Sequence, residues 1–364
     1  SKHLGFAAGV QQMMAMLAIL AGQIVAGWWY DKRYTSLGAV PEKAWDAAFF
    51  PLVLLACLSV PALLMAISIP RVSAHGREKL SEKLLISHFK DLGELWADLP
   101  LRRASFGVAY FWGFAAFINL WSVKVAKSLT PGGEGFGTMS SMFMASASLG
   151  MAIGFGFASW LLRKRIELGW VPLAGMMMTV SALVLAFLPA GGWPFLIGLG
   201  LLAFSAALFL SPLNAWMQDR YPADKRGELQ SAVNLQDCFG GIIAVVAIEG
   251  MIHLARMLGM TELAGFRVQM VAIGLSCGLM TWFILRIRPA DFIRLICVSA
   301  VKVIYRIRLT GMDRIPKAGG ALLLPNHVTF ADAFFISAAS ERPLRFVMDE
   351  TFMASKTIRF AMHL

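Results

Sequence analysis

A histidine and an aspartate lie five positions apart in the stretch LLLPNHVTFADAFF, residues 322–335. A neutral imidazole at His327 can take a proton from an alcohol if a carboxylate fixes its tautomer, and Asp332 has the spacing for that role. Asn326 and the apolar run before it would hold the imidazole at the end of a strand. A bare spacing of this kind occurs mostly by chance, so a surface histidine beside an unrelated aspartate stays open as the alternative.

The elements around this pair predict an α/β domain at a membrane surface. Residues 291–306 place Arg294, Lys302 and Arg306 on one face of a helix, with isoleucine and valine opposite, a pattern typical of interfacial helices. A short β-like run at 307–311 and a second apolar run at 321–324 follow. Together they predict the start of an α/β domain that lies against the membrane.

The run YRIRLTGMDRIPKAGGALLLPNHVTFADAFF resembles the opening of the glycerolipid acyltransferase family, of the 1-acylglycerol-3-phosphate type. The resemblance implies that His327 deprotonates a glycerol hydroxyl, which attacks an acyl thioester on acyl carrier protein or coenzyme A, with Asp332 as the orienting partner. It implies no bound cofactor, no metal and no covalent intermediate. The family's later Gly-x-x-Phe-x-x-Arg and Phe-Pro-Glu-Gly blocks do not occur, so we expect no acyl transfer from this piece alone.

The composition indicates a membrane protein. Of the 364 residues, 58% are hydrophobic and only 15% are charged, and the mean hydropathy is +0.65. Soluble domains have about 45–50% apolar and about 25% charged residues. The net charge of +11 would also suit nucleic acid. In a membrane protein, however, lysine and arginine collect in cytoplasmic loops and near anionic headgroups, so we expect no nucleic-acid partner.

Eight segments are apolar for about 20 residues, the length needed to cross roughly 30 Å of hydrocarbon. They lie at 4–29, 48–69, 104–123, 138–162, 171–189, 194–215, 230–251 and 267–286. Alternate connections collect most of the basic residues, including the 71–103 loop and the run 163–165. The positive-inside bias therefore places this side, and the tail after residue 288, in the cytoplasm. The chain begins without methionine, and we expect it to be incomplete at both ends.

Polar side chains within these segments are the candidate transport residues. Gln230, Asn234 and Asp237 share one helix face by the 3.6-residue period, and lipid cannot satisfy them. A cavity for substrate or structural hydrogen bonds would each explain them, and Gln230 would also suit a solvated helix end. Gln12 and Gln23 share a face of the first helix, where a cavity lining and interhelical bonding are both open.

The membrane part resembles the latter two-thirds of a twelve-helix major facilitator transporter. Two stretches, MLAILAGQIVAG (16–27) and FLSPLNAWMQDRYPADKRGELQSAVNLQD (209–237), are similar to bacterial lysophospholipid transporters, some of which are fused to an acyltransferase. The expected fold is an all-α polytopic membrane protein, a partial major facilitator fold, followed by the start of an α/β acyltransferase domain. The expected domains are the last two helices of the N-terminal half (1–70), a cytoplasmic linker (71–103), the six-helix C-terminal half (104–288) and a truncated acyltransferase domain (289–364).

The resemblance implies inward flipping of lysophospholipid, chiefly lysophosphatidylethanolamine, across a bacterial inner membrane, followed by reacylation. The alternative is an acyltransferase whose helices only anchor it. A buried Asp237 favours transport, because a simple anchor has no need of a carboxylate within the membrane. A carrier of small polar solutes is disfavoured by the fused domain.

Overall fold

The computed structural model describes residues 4–69, 83–163, 165–222, 225–308, 310–311, 315–316, 319–326, 328–329, 332–340 and 344–347. The described residues form α1 Leu4–Ser36, α2 Ala44–Ile67, α3 Lys83–Ala97, α4 Leu99–Leu129, α5 Phe136–Leu162, α6 Trp170–Leu185, α7 Trp193–Arg220, α8 Arg226–Met257, α9 Glu262–Ile287, α10 Pro289–Ile304 and α11 Asp332–Ala339. A 3₁₀ turn, Pro41–Lys43, precedes α2.

Among the described helices, seven are long and apolar enough to cross a membrane, namely α1, α2, α4, α5, α7, α8 and α9. The chain is a multi-pass membrane protein. Each of the eight predicted segments coincides with a helix, but α6 has only 16 residues. At 1.5 Å per residue it covers about 24 Å, which is short of the roughly 30 Å of hydrocarbon. It ends at Leu185, before a turn in which Gly191 has a φ of +85°.

The centre of the bundle is α7, which packs against α5 and α6. Its side chains Leu199, Phe209 and Leu210 are almost completely buried. Around it, α1 lies along α5, α9 lies along α6, and α8 pairs with α4. The apolar side chains of α2 are exposed along nearly its whole length, as expected of a helix that contacts lipid.

Small residues of the glycine- and alanine-rich stretch 145–158 let α5 and α7 approach closely. A Cβ at Gly154 would lie 2.7 Å from the carbonyl oxygen of Phe204, and a Cβ at Gly150 would lie 2.8 Å from the carbonyl carbon of Gly200. Real Cβ atoms do not approach backbone atoms so closely. The helices therefore touch backbone to backbone, the kind of interface common between membrane helices.

One end of the bundle carries Arg102, Arg103, Arg165, Arg220, Arg286 and Arg288, and we call it the basic end. There α5, α7 and α9 finish and α4, α6 and α8 begin. Asp98 caps α4, since its Oδ1 accepts from the backbone N–H of Leu101 at 3.2 Å, and its Oδ2 lies 3.3 Å from Arg220. Because α4 begins at Leu99, residues 99–103 of the predicted linker are helical.

At the opposite end, Asp31 of α1 caps α5 across the helix interface. Its Oδ1 accepts from the backbone N–H of Gly137 at 2.9 Å, and its Oδ2 accepts from that of Thr138. The residue before α5 is Gly135, which has no side chain to do this. The hydroxyl of Tyr34 also donates to the carbonyl of Gly132 at 3.2 Å. The end of α1 thus orders the loop that leads into α5.

Replacing Asp31 by alanine is expected to destabilise the bundle by about 1–2 kcal/mol, since the first amides of α5 lose a charged acceptor. The measurement is unfolding of the purified protein in mixed micelles, followed by tryptophan fluorescence. The control is Thr35→Ala, because Thr35 is exposed one turn further along α1. This variant should leave stability unchanged. Equal stability of the two variants would contradict the cap.

Beyond the bundle, the amphipathic helix predicted at 291–306 is confirmed as α10. The predicted strands at 307–311 and 321–324 are not observed: the described residues of both stretches have irregular backbone. A strand forms only when a neighbour pairs with its backbone N–H and C=O groups, and neither stretch has one among the described residues. Leu322 and Leu324 are accordingly 80% and 85% exposed.

Candidate functional site

The three polar residues predicted to share a face of α8 differ in how deeply they are buried. Gln230 and Asn234 are exposed, and the Nε2 of Gln230 donates to the Oδ1 of Asn234 at 2.8 Å. Asp237 lies one turn deeper and is half-buried. Its Oδ1 is buried and has no hydrogen-bond partner among the described residues. The structure therefore leaves an unsatisfied carboxylate oxygen within a membrane-spanning helix.

Gln236, which was not among the predicted residues, lies next to Asp237 and is buried. Its Oε1 accepts from the indole N–H of Trp96 at 3.1 Å, and its Nε2 has no partner in the described part of the chain. The predicted linker thus contains a helix, α3, that packs on α8. The signal in the sequence was the helical spacing of Phe89, Leu92 and Trp96.

Of the two glutamines of α1, Gln23 lies at the contact with α5. Gln23 bonds across that interface, because its Oε1 accepts from the hydroxyl of Ser148 at 3.0 Å and its carbonyl accepts from that of Ser141 at 2.8 Å. Gln12 is half-buried on the same helix. Interhelical bonding, one of the two interpretations open from the sequence, is therefore present for Gln23.

Glu249, a further acid of α8, has a partner. Its carboxylate lies 2.7 Å from the ammonium of Lys124, so the pair joins α8 to α4 near the end opposite the basic end. Among the described acids of α8, Asp237 is thus the one with a buried oxygen lacking a partner.

In the predicted acyltransferase motif, Asp332 begins α11. Its Oδ2 accepts from the backbone N–H of Val328 at 2.7 Å and from that of Thr329 at 3.0 Å. The first of these amides belongs to the peptide bond that follows His327. The carboxylate therefore fixes the backbone beside the predicted base. His327 itself lies outside the described residues, and Asn326 is exposed.

This motif contacts the end of the amphipathic helix α10. The ring of Phe335 in α11 meets that of Tyr305, the residue that follows α10, edge to face with centroids 4.9 Å apart. Such a contact fixes the start of α11 against the end of α10.

The other end of α10 is joined to the basic end of the bundle. Gly169 allows this contact, since a Cβ there would collide with the backbone of Asp291 and with Leu295, which is buried. Glu167 lies 3.3 Å from Arg165 and 3.6 Å from Arg294 of α10. Burial lowers the pKa of the Arg165 guanidinium from its ordinary value, and Glu167 acts in the opposite direction. The helix that leads into the predicted catalytic motif is therefore anchored to the membrane bundle.

Among the described residues, no group of histidine, cysteine and acidic side chains is arranged to hold a metal ion. Two carboxylates remain as candidate functional groups among the described residues. Asp237 lies within a membrane-spanning helix, and Asp332 orders the backbone next to His327.

Comparison with known protein families gives two matches. The family model of the Major Facilitator Superfamily matches residues 1–245 of the 364, and the Acyltransferase family model matches residues 306–364, which include His327 and Asp332. Neither the curated proteins nor the solved structures gave a significant match.

Proposed function

Because the chain belongs to the major facilitator superfamily and continues into an acyltransferase domain, we propose that it couples lipid transport to acyl transfer. The lipid is a lysophospholipid, with lysophosphatidylethanolamine as the preferred headgroup. It moves inward across the bacterial inner membrane and is reacylated in the cytoplasmic leaflet. The clustering of arginine at the basic end supports a cytoplasmic position for that end and for the acyltransferase domain.

One observation carries the transport part of this proposal, namely the buried Oδ1 of Asp237 without a partner among the described residues. A polar group at membrane depth costs free energy unless a partner satisfies it. An ethanolamine ammonium is such a partner, since it offers three N–H donors and a positive charge. Gln230, Asn234, Gln12 and Gln23 are proposed to line the same route.

In the acyl-transfer part, the imidazole of His327 takes the proton from the free glycerol hydroxyl. The oxygen forms a bond to the acyl carbonyl carbon, the carbon–sulfur bond of the thioester breaks, and the thiolate recovers the proton from the imidazolium. Asp332 holds the loop and stabilises the imidazolium. The donor is an acyl thioester on acyl carrier protein or coenzyme A, and the step needs no bound cofactor.

Replacing Asp237 by asparagine tests the transport part. Removing one charge-assisted hydrogen bond is worth about 1.5–3 kcal/mol, so uptake of fluorescent lysophosphatidylethanolamine into proteoliposomes should fall by about 10- to 100-fold. Acyl transfer to substrate supplied on the domain's own side should be unchanged. Uptake of lysophosphatidic acid, which has no ammonium, should be much less affected.

The control is Glu249→Gln, because it removes another acid of α8, one that already pairs with Lys124 near the end opposite the basic end. It should retain most uptake. If Asp237→Asn changed neither uptake nor acyl transfer, the helices would be a membrane anchor for the enzyme, and the transport part would be wrong.

A further inference from the structure

A cavity of about 230 Å³ lies at the basic end, between the starts of α4 and α6 and the ends of α7 and α9. Its apolar walls include Gly107, Leu168, Val171, Leu213, Met280 and Ile284. Small-molecule sites usually measure about 300–1,000 Å³, so a cavity of this size suits a narrow ligand. A single alkyl chain fits that description better than a headgroup or a pair of chains.

The charged lining of the cavity is confined to its outer part. Arg103 is near the start of α4, and Arg288 and Asp291 flank the junction of α9 and α10. Along α9, the cavity extends from Arg288 to Met280, eight residues or about 12 Å towards the membrane centre. The ligand that matches this gradient has a charged group at the membrane surface and an apolar chain pointing inward.

The balance of charge indicates the sign of the ligand's headgroup. Asp291 lies 2.6 Å from the guanidinium of Arg288, so these two largely neutralise each other. Arg103 is exposed and forms no ion pair with any described residue. One uncompensated guanidinium at the mouth of the cavity favours an anionic group, and its planar donors suit a phosphate.

We propose that this cavity binds the acyl chain of a single-chain phospholipid, with the phosphate paired to Arg103. The bound lipid lies beside α10, the helix that leads into the acyltransferase domain. The cavity is separate from the polar face of α8, so lipid binding here is independent of the transport part of the proposed function.

The test is photolabelling of the full-length protein in dodecyl maltoside. The probe is lysophosphatidylethanolamine with a diazirine at the end of its chain, and labelled peptides are mapped by mass spectrometry. Label is expected in the peptides that contain Leu213 or Met280, which line the deep part of the cavity. Label confined to α2, whose apolar side chains are exposed, would mean annular lipid only and would overturn the proposal.

Two matched pairs of variants make the test specific. Arg103→Gln should reduce cavity labelling at least about fivefold, whereas Arg102→Gln should not, because Arg102 is also exposed but does not line the cavity. Ala104→Leu should fill the cavity and reduce labelling similarly, whereas Ala116→Leu on the same helix should not. Equal effects within either pair would count against the site.

Competition identifies the ligand class. Unlabelled lysophosphatidylethanolamine should displace the probe, whereas glycerophosphoethanolamine, which has no chain, should not. Displacement by the chain-free headgroup would show that the apolar walls of the cavity do not contribute to binding, which would overturn the proposal. Equal displacement by a diacyl phospholipid would overturn the preference for a single chain. Uptake is not measured, so the result is separate from that of the Asp237 experiment.

Discussion

Replacing His327 by alanine in the full-length protein is expected to abolish acyl transfer while leaving lipid uptake intact. General-base assistance by a positioned imidazole is worth about 10²- to 10⁴-fold in rate, and alanine offers no substitute for it. The measurement follows radiolabelled acyl groups from the thioester donor into diacyl phospholipid, beside uptake of the lysolipid into proteoliposomes. Loss of both activities together would indicate misfolding, so the two assays are read on the same preparation.

Asp332→Asn separates positioning from charge. The asparagine keeps one oxygen that can accept from the amides of Val328 and Thr329, so the loop should stay folded while the negative charge is lost. We expect a reduction in acyl transfer of about 10²-fold or more, because a neutral amide cannot stabilise the imidazolium. Asp332→Ala should be at least as severe, because the backbone contacts are lost as well.

Asp219→Asn is the control for the His327 and Asp332 variants, since Asp219 is an exposed acid at the end of α7. It should have no effect on either activity. Full acyl transfer by His327→Ala would show that the histidine is not the base, and the acyltransferase mechanism proposed for this motif would be wrong.

The helical part of the fold is predictable because it depends on local composition. Length and hydropathy are properties of each segment by itself, so all eight apolar segments coincide with helices. The strands at 307–311 and 321–324 depend instead on pairing with distant chain segments, which no local pattern reports. The short α6 is a related case, since a helix packed between α7 and α9 needs an apolar sequence whether or not it spans the bilayer.

The candidate site is likewise predictable only where it depends on local sequence. The shared face of Gln230, Asn234 and Asp237 follows from helical period alone, but their partners do not. Tertiary packing brings together elements that are far apart in the chain. It places the indole N–H of Trp96 against Gln236, and it places Asp31 at the start of α5. For Asp332, the spacing from His327 suggests a role, and the structure adds that its carboxylate binds the intervening backbone amides.

Replacing Gly150 by valine is expected to disrupt the bundle. A side chain at this position on α5 would meet the backbone oxygen, carbonyl carbon and Cα of Gly200 on α7, none of which can rotate away. The two helices would have to separate, and α7 lies at the centre of the packing. Overpacking of this kind costs about 3 kcal/mol, towards the upper end of its usual range.

The matched control is Gly22→Val, because a Cβ at Gly22 on α1 has no neighbour within 4 Å. Both variants place the same β-branched residue in a membrane-spanning helix, so a difference between them reports the α5–α7 contact rather than helix propensity. Unfolding in mixed micelles and the fraction of protein that elutes as a single species measure the effect. If Gly150→Val were as stable as Gly22→Val, the backbone contact between α5 and α7 would be wrong.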